Sequence, residues 1–121
     1  MAALAAATNI NGVTCVVPAF NASNTIDACL ASLLAQRTDL PIEVVVVDDG
    51  SEDGTAVIVE RWQARFARLH MSLRVIRQQR NGGAARARNV GIEHAAHDWI
   101  LTCDADDTSR FNRVEALRRA A

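Results

Sequence analysis

Ile42-Glu43-Val44-Val45-Val46-Val47-Asp48-Asp49-Gly50-Ser51 is an apolar, mostly β-branched run broken only by Glu43 and stopped abruptly by two acids and a glycine. A strand with one wet face alternates apolar and polar residues, whereas a continuous run marks a strand buried on both faces. Such strands belong to parallel sheets covered by helices, so the segment predicts an α/β fold with polar residues gathered where the strand ends.

The flanking sequence repeats the pattern. Upstream, Val13 to Val17 reads as a first strand ended by Pro18, which cannot continue a central ladder. Between the two, Ile26, Cys29, Leu30, Leu33 and Leu34 share one helical face, with Asn24 and Asp27 as an expected cap. Downstream, Ile58, Trp62, Phe66 and Leu69 predict a second helix with Asp53 as its cap candidate, and Leu73 to Ile76 a third strand. Asn81-Gly82-Gly83 then turns the chain into a helix with a small-residue stripe, Ala84, Ala87, Gly91 and Ala95, able to lie close to the sheet. Trp99 to Cys103 predicts the fourth strand, and Phe111, Val114 and Leu117 a last helix starting near Ser109. Strands and helices alternating in this way imply right-handed crossovers and a Rossmann-like, mostly parallel sheet of about four strands with helices on both faces.

With 121 residues, the chain supports one buried core and not two. Met1 to Gly12 is expected to be a loose leader, and 13–121 the folded unit. The 13 basic residues are all arginines, scattered through a chain of formal net charge -1, which argues against nucleic acid as a partner. Cys15, Cys29 and Cys103 lie in apolar stretches and read as small buried hydrophobes in a reducing, cytoplasmic setting. No run approaches the length of a membrane span, and a membrane anchor would be expected, if at all, on a missing C-terminal region.

Six of the nine aspartates fall in two clusters, Asp48, Asp49 and Asp53 after the second strand and Asp104, Asp106 and Asp107 after the fourth. In a parallel sheet both are carboxyl ends of strands, and so both border the crevice where open α/β sheets bind ligands. Crowded carboxylates repel unless a cation joins them, and Mg²⁺ or Mn²⁺ would do so while leaving positions for phosphate oxygens. One helix cap uses one carboxylate, which accounts for Asp53 but not for the Asp104-Ala105-Asp106-Asp107 set. Arg86 and Arg88 fall in the expected first turn of a helix, where a cation is disfavoured unless an anion lies close, either a ligand phosphate or the acidic rim. Phe20 could stack on a planar base or close the core. His94 and His97 lack a third ligand and read as boundary residues.

The order of these pieces resembles the GT-A fold glycosyltransferases of family 2. The resemblance rests on Val16-Val17-Pro18-Ala19-Phe20-Asn21, on Val45 to Ser51 with Asp53-Gly54-Thr55, on Asn81 and Gly83 with Ala87-Arg88-Asn89-Val90-Gly91-Ile92, and on Asp104-Ala105-Asp106-Asp107. It implies a site for a nucleoside diphosphate sugar, UDP-linked in the family's commonest case. Pro18, Ala19, Phe20 and Asn21 would lie along the nucleoside, and Asp49 would accept the base's imide hydrogen while Asp48 shapes the turn. Arg88 would approach the nucleotide. Asp104, Ala105 and Asp106 would form the Asp-X-Asp motif, with Asp104, Asp106 and Asp107 as ligands to Mn²⁺ or Mg²⁺. An acceptor glycan, lipid or other hydroxyl compound would attack with inversion. No residue fills the role of catalytic base, and the chain reads as the nucleotide-sugar-binding part of a domain truncated at its C-terminus.

Two other readings remain at this point. A module that binds a nucleotide without chemistry would show the same strands and acids. A haloacid-dehalogenase-type phosphatase also places an apolar strand before Asp104-Ala105-Asp106-Asp107-Thr108, but its nucleophile strand comes first and its site uses a lysine, which this sequence lacks.

Overall fold

A computed structural model describes residues 10–121 as β1 (Val13–Ala19), α1 (Ile26–Leu34), β2 (Ile42–Asp48), α2 (Thr55–Arg68), β3 (Ser72–Arg77), α3 (Ala84–Glu93), β4 (Trp99–Thr102) and α4 (Arg113–Ala120). All three strand pairings are parallel and the order is β3-β2-β1-β4, which is the α/β sheet expected from the sequence. The chain steps outward from β1 to β3 and then returns to the other side of β1. This reversal places a topological switch point between β1 and β4, where open sheets leave a crevice at their carboxyl edge.

Each face of the sheet has its own packing. Cys15, Val17, Val44 and Val46 point into a core shared with Ile26, Leu30 and Leu33 of α1, Val59 and Phe66 of α2, and Val114 of α4. Val45 and Val47 face the opposite way, against Ala87 of α3. The expected leader is outside the described residues for positions 1–9, while Ile10, near its end, is buried in the larger core.

Four local expectations give way to tertiary contacts. Pro18 does not end the first strand, which continues to Ala19 paired with Asp48. Alternate residues of a strand hydrogen-bond to opposite neighbours. Val16 O accepts from Cys103 on the β4 side and Ala19 O accepts from Asp49 on the β2 side. Pro18 therefore turns its missing donor towards β4, which has already ended opposite Val16, so no bond is lost. The Asn24 cap does not form; Thr25 occupies the N-cap of α1, and Asp27 instead accepts from Trp62 Nε1 at 2.7 Å. Leu69 caps the end of α2 and is exposed, whereas Val59, outside the expected apolar set, is buried beside Phe66 on the inward face. The last helix starts at Arg113, because Ser109 N donates to Ser32 Oγ and Arg37 N donates to Phe111 O, tying the preceding stretch to α1 and to the segment that follows it.

The small-residue stripe is confirmed at its centre. A Cβ on Gly91 would lie 2.4 Å from Val16 Cγ1 and 3.2 Å from Val47 Cγ2, so α3 can sit at this depth only with glycine there. Gly91→Ala is therefore expected to destabilise the chain by about 1–3 kcal/mol through overpacking, read as a lower midpoint in urea denaturation.

Candidate functional site

Two adjoining hollows open at the carboxyl edge of the sheet. One, of about 310 Å³, is lined by Pro18, Ala19, Phe20, Asp49, Asn81, Gly83 and Ala84. The other, of about 480 Å³, is bordered by Phe20, Asn21, Thr25, Asp104, Ala105 and Asp106. Pro18, Phe20 and Ala84 belong to both, so the two form one cleft across the switch point. Phe20 is 48% exposed, which puts its ring at the rim between the hollows and not in the core. Ala84, expected to pack on the sheet, is exposed and forms cleft wall instead.

The first hollow is organised by Asp49. Its buried carboxylate accepts from Gly82 N through Oδ1 and from Gly83 N through Oδ2, both at 2.9 Å, while its own N–H donates to Ala19 O. Each carboxylate oxygen keeps a second acceptor site, so the group can still receive a hydrogen from a ligand. Gly50 makes the junction possible: its φ is +79°, and a Cβ would lie 2.8 Å from Asn81 N. Asp48 has the turn-shaping role expected of it, accepting from Ser51 N at 3.0 Å.

The loop after β1 is held through three consecutive backbone donors. Asn21 N donates to Ser51 Oγ, Ala22 N to Thr55 Oγ1 and Ser23 N to Asp53 Oδ2, at 2.8–3.0 Å. Asn21, in the left-handed region at φ 48°, returns the contact by accepting from Glu52 N. Asp53 also accepts from Thr55 N and from the Thr55 hydroxyl, whose bond is the main reason its carboxyl is held down at about 2. Its carboxylate thus caps the first turn of α2 from one residue outside the N-cap and also fixes the neighbouring loop. Nothing in the local sequence signals this second task, because Ser23 lies 30 positions away.

The second hollow depends on the turn after β4. Asp107 N donates to Asp104 O, and Arg113 braces the turn from behind by donating to Thr102 O, Ser109 Oγ and Cys103 Sγ. Among the described residues the Asp104 and Asp106 carboxylates receive no hydrogen bond and form no ion pair. Asp107 differs, since its Oδ1 accepts from Thr108 N and it does not line the cleft.

The acidic rim is thus smaller than expected. Asp49, Asp104 and Asp106 reach the cleft, whereas Asp48 and Asp53 are committed to turns. No three His, Cys, Asp or Glu side chains among the described residues could hold a metal by themselves. Two unengaged carboxylates on one wall nevertheless fit a Mg²⁺- or Mn²⁺-type ion, which takes one or two carboxylates and completes its shell with phosphate oxygens and water. Arg88 is half-buried on α3 and lines neither hollow, while Arg86 lies over Gly82, facing a separate hollow. His94 bonds its own helix through Val90 O and His97 packs on Gly12.

All three cysteines are buried and free, as expected. Burial pushes the Cys29 thiol up to about 12, and Cys15 is also raised, chiefly through its bond with Cys103. Cys103 departs from inert packing: the Cys15 thiol and the Arg113 guanidinium draw it down to about 7.

Residues 14–121 match the family described as glycosyl transferase family 2. The chain belongs to glycosyltransferase family 2. Glycosyltransferase GlyG of Streptococcus pneumoniae serotype 4 is 35% identical over 105 residues, covering 87% of this chain and 33% of GlyG. The crystal structure of S. aureus TarS 1-349 in complex with UDP superposes with a TM-score of 0.75 at 34% identity, covering 87% of this chain and 30% of that one. Mannosyltransferase PcManGT from Pyrobaculum calidifontis, in complex with GDP-Man and Mn²⁺, gives 0.72 at 33% identity, covering 84% and 29%. The chain thus spans about a third of the length of these relatives. Family membership removes the phosphatase reading.

Within this family-2 domain the three-donor clamp on the β1–α1 loop is open to test. Thr55→Val keeps the side-chain shape but leaves the buried Ala22 N–H unpaired, an expected loss of about 1–3 kcal/mol in urea denaturation that Thr55→Ser should restore. The clamp also has a pH signature. The folded value for Asp53 lies below its ordinary 3.8, so its contribution is present above that value and lost as pH falls through about 2. Asp53→Asn should remove this acid-side step from the stability profile measured by thermal denaturation.

Proposed function

We propose that this domain binds a nucleoside diphosphate sugar along the cleft and presents it for glycosyl transfer to the hydroxyl of an acceptor glycan, lipid or other compound. The observation that carries the reading is the continuity of the two hollows at the switch point, with an acceptor carboxylate, Asp49, in one and two unengaged carboxylates, Asp104 and Asp106, in the other. A base fits the first hollow, with its imide hydrogen towards Asp49 and its ring against Phe20, and a diphosphate fits the second. The UDP complex of TarS favours uridine as the base.

Asp104 and Asp106 would hold Mn²⁺ or Mg²⁺, in line with the Mn²⁺ in the PcManGT complex, and Asp107 would assist only if its bond to Thr108 opened. A bound divalent ion supplies charge neutralisation for the departing diphosphate. The chain's own residues orient the donor: Asp49 fixes the base and the Pro18–Asn21 strand exit lies along the nucleoside, while Arg88, which lines neither hollow, is given no contact with it. Attack from the face opposite the diphosphate would give inversion. Among the described residues Asp49, Asp104 and Asp106 are the only ionisable ones lining the cleft, and all three are assigned to donor binding, so no catalytic base is assigned. Among the described residues no helix is long and apolar enough to cross a membrane.

Calorimetric titration with UDP, GDP and dTDP, each with and without Mn²⁺, tests this reading. UDP is expected to bind saturably and more tightly with the ion, Asp106→Ala to abolish the ion's effect, and Phe20→Ala to weaken binding by about 1–3 kcal/mol through lost stacking. Tight uptake indifferent to both Mn²⁺ and Asp106→Ala would overturn it.

A further inference from the structure

Beyond β3 the chain builds a second polar hollow, of about 380 Å³, lined among the described residues by Arg77, Gln78, Gln79, Arg80 and Arg86. Three arginines thus border one small volume in a chain whose formal net charge is -1, so the clustering does not follow from general basicity. No acid among the described residues lines the hollow. Glu60 contacts Arg77 at 3.5 Å between side chains 56% and 48% exposed, an arrangement that contributes little. Among the described residues Arg80 and Arg86 form no ion pair at all.

The position of Arg86 adds to this imbalance. It lies in the first turn of α3, where the helix dipole disfavours a cation, and the carboxylate at this turn, Asp49, is engaged by Gly82 N and Gly83 N and does not line the hollow, which two further arginines border. The glycine beneath it lets it stay there: a Cβ on Gly82 would come within 2.5 Å of Arg86 Cδ and Nη1, so the guanidinium rests across the turn. Planar guanidiniums pair with phosphate oxygens through two parallel bonds, and the Gln78 and Gln79 amides can donate to the oxygens left over.

We propose that this hollow binds a phosphate-bearing ligand distinct from the donor nucleotide. The Asn81–Gly83 turn separates the two: Asn81 and Gly83 line the base hollow, and the arginines lie on the turn's outer flank with no lining residue in common. Both sites can therefore be filled at once. The phosphate can come from a soluble oligophosphate or phosphate-linked chain, or from an anionic lipid headgroup.

The test uses the 121-residue chain without nucleotide or divalent ion. Tripolyphosphate is titrated by calorimetry, and sedimentation is measured with vesicles of phosphatidylglycerol and of phosphatidylcholine. Saturable tripolyphosphate uptake with no vesicle binding assigns a soluble phosphate; retention on phosphatidylglycerol alone assigns a headgroup. In either case Arg80→Gln with Arg86→Gln should weaken binding about tenfold or more. Arg65→Gln with Arg119→Gln, which removes the same charge elsewhere, should not. UDP titration of the Arg80/Arg86 variant should match the unsubstituted chain, so this result and the nucleotide reading stand or fall separately. Absence of binding to both probes, or equal losses in the two double variants, would overturn the proposal.

Discussion

A buried carboxylate that accepts two backbone N–H groups underlies the whole carboxyl edge of the sheet. Asp49 reaches Gly82 and Gly83 from the end of β2 while its own N–H donates to Ala19 O of β1, so the ends of two strands and the turn that opens α3 meet at one residue. Hydrogen bonds to an ionised acceptor are stronger than neutral ones, and here the donors are the backbone that opens α3. The close packing of Gly50 on Asn81 and of Gly91 on Val16 are the steric conditions for this arrangement. Each lets backbone approach where a side chain would hold it away.

The consequence is a cleft whose two ends are built differently. The end around Asp49 is tightly hydrogen-bonded, because Asp49 and the clamp formed by Ser51, Asp53 and Thr55 hold the backbone on either side of Phe20. The acidic end is positioned from behind, by Arg113 and by the contacts of Ser32 and Gln36 with the segment leading into α4, while its carboxylates stay unengaged. A preorganised pocket for one part of a ligand and open charge for another suit a donor whose base is bound by shape and whose diphosphate is bound through charge.

Much of this was legible in the sequence. The Val44 to Val47 run gave the doubly buried strand, and helical spacing placed α1 and α2. What local pattern could not show were effects of neighbours distant along the chain. Pro18 stays in its strand because β4 is short, a fact about another segment. Asp27 leaves its cap for Trp62 of the next helix. Counting carboxylates against caps set Asp53 apart from the second cluster, but the withdrawal of Asp107 was not legible, because only its bond from Thr108 N separates it from Asp104 and Asp106. Phe20 was open between core and rim, and exposure decided for the rim. Arg113 gave no signal at all, since its partners only come together once β4 and α4 are in place.

The most direct test of the donor cleft is a crystal structure of the chain grown with UDP and Mn²⁺. The account predicts the uracil ring beside Phe20 with its imide nitrogen within hydrogen-bond reach of Asp49, and the diphosphate joined through the ion to Asp104 and Asp106. Nucleotide bound away from the β1–β4 switch point, or phosphates and ion without contact to either aspartate, would contradict it.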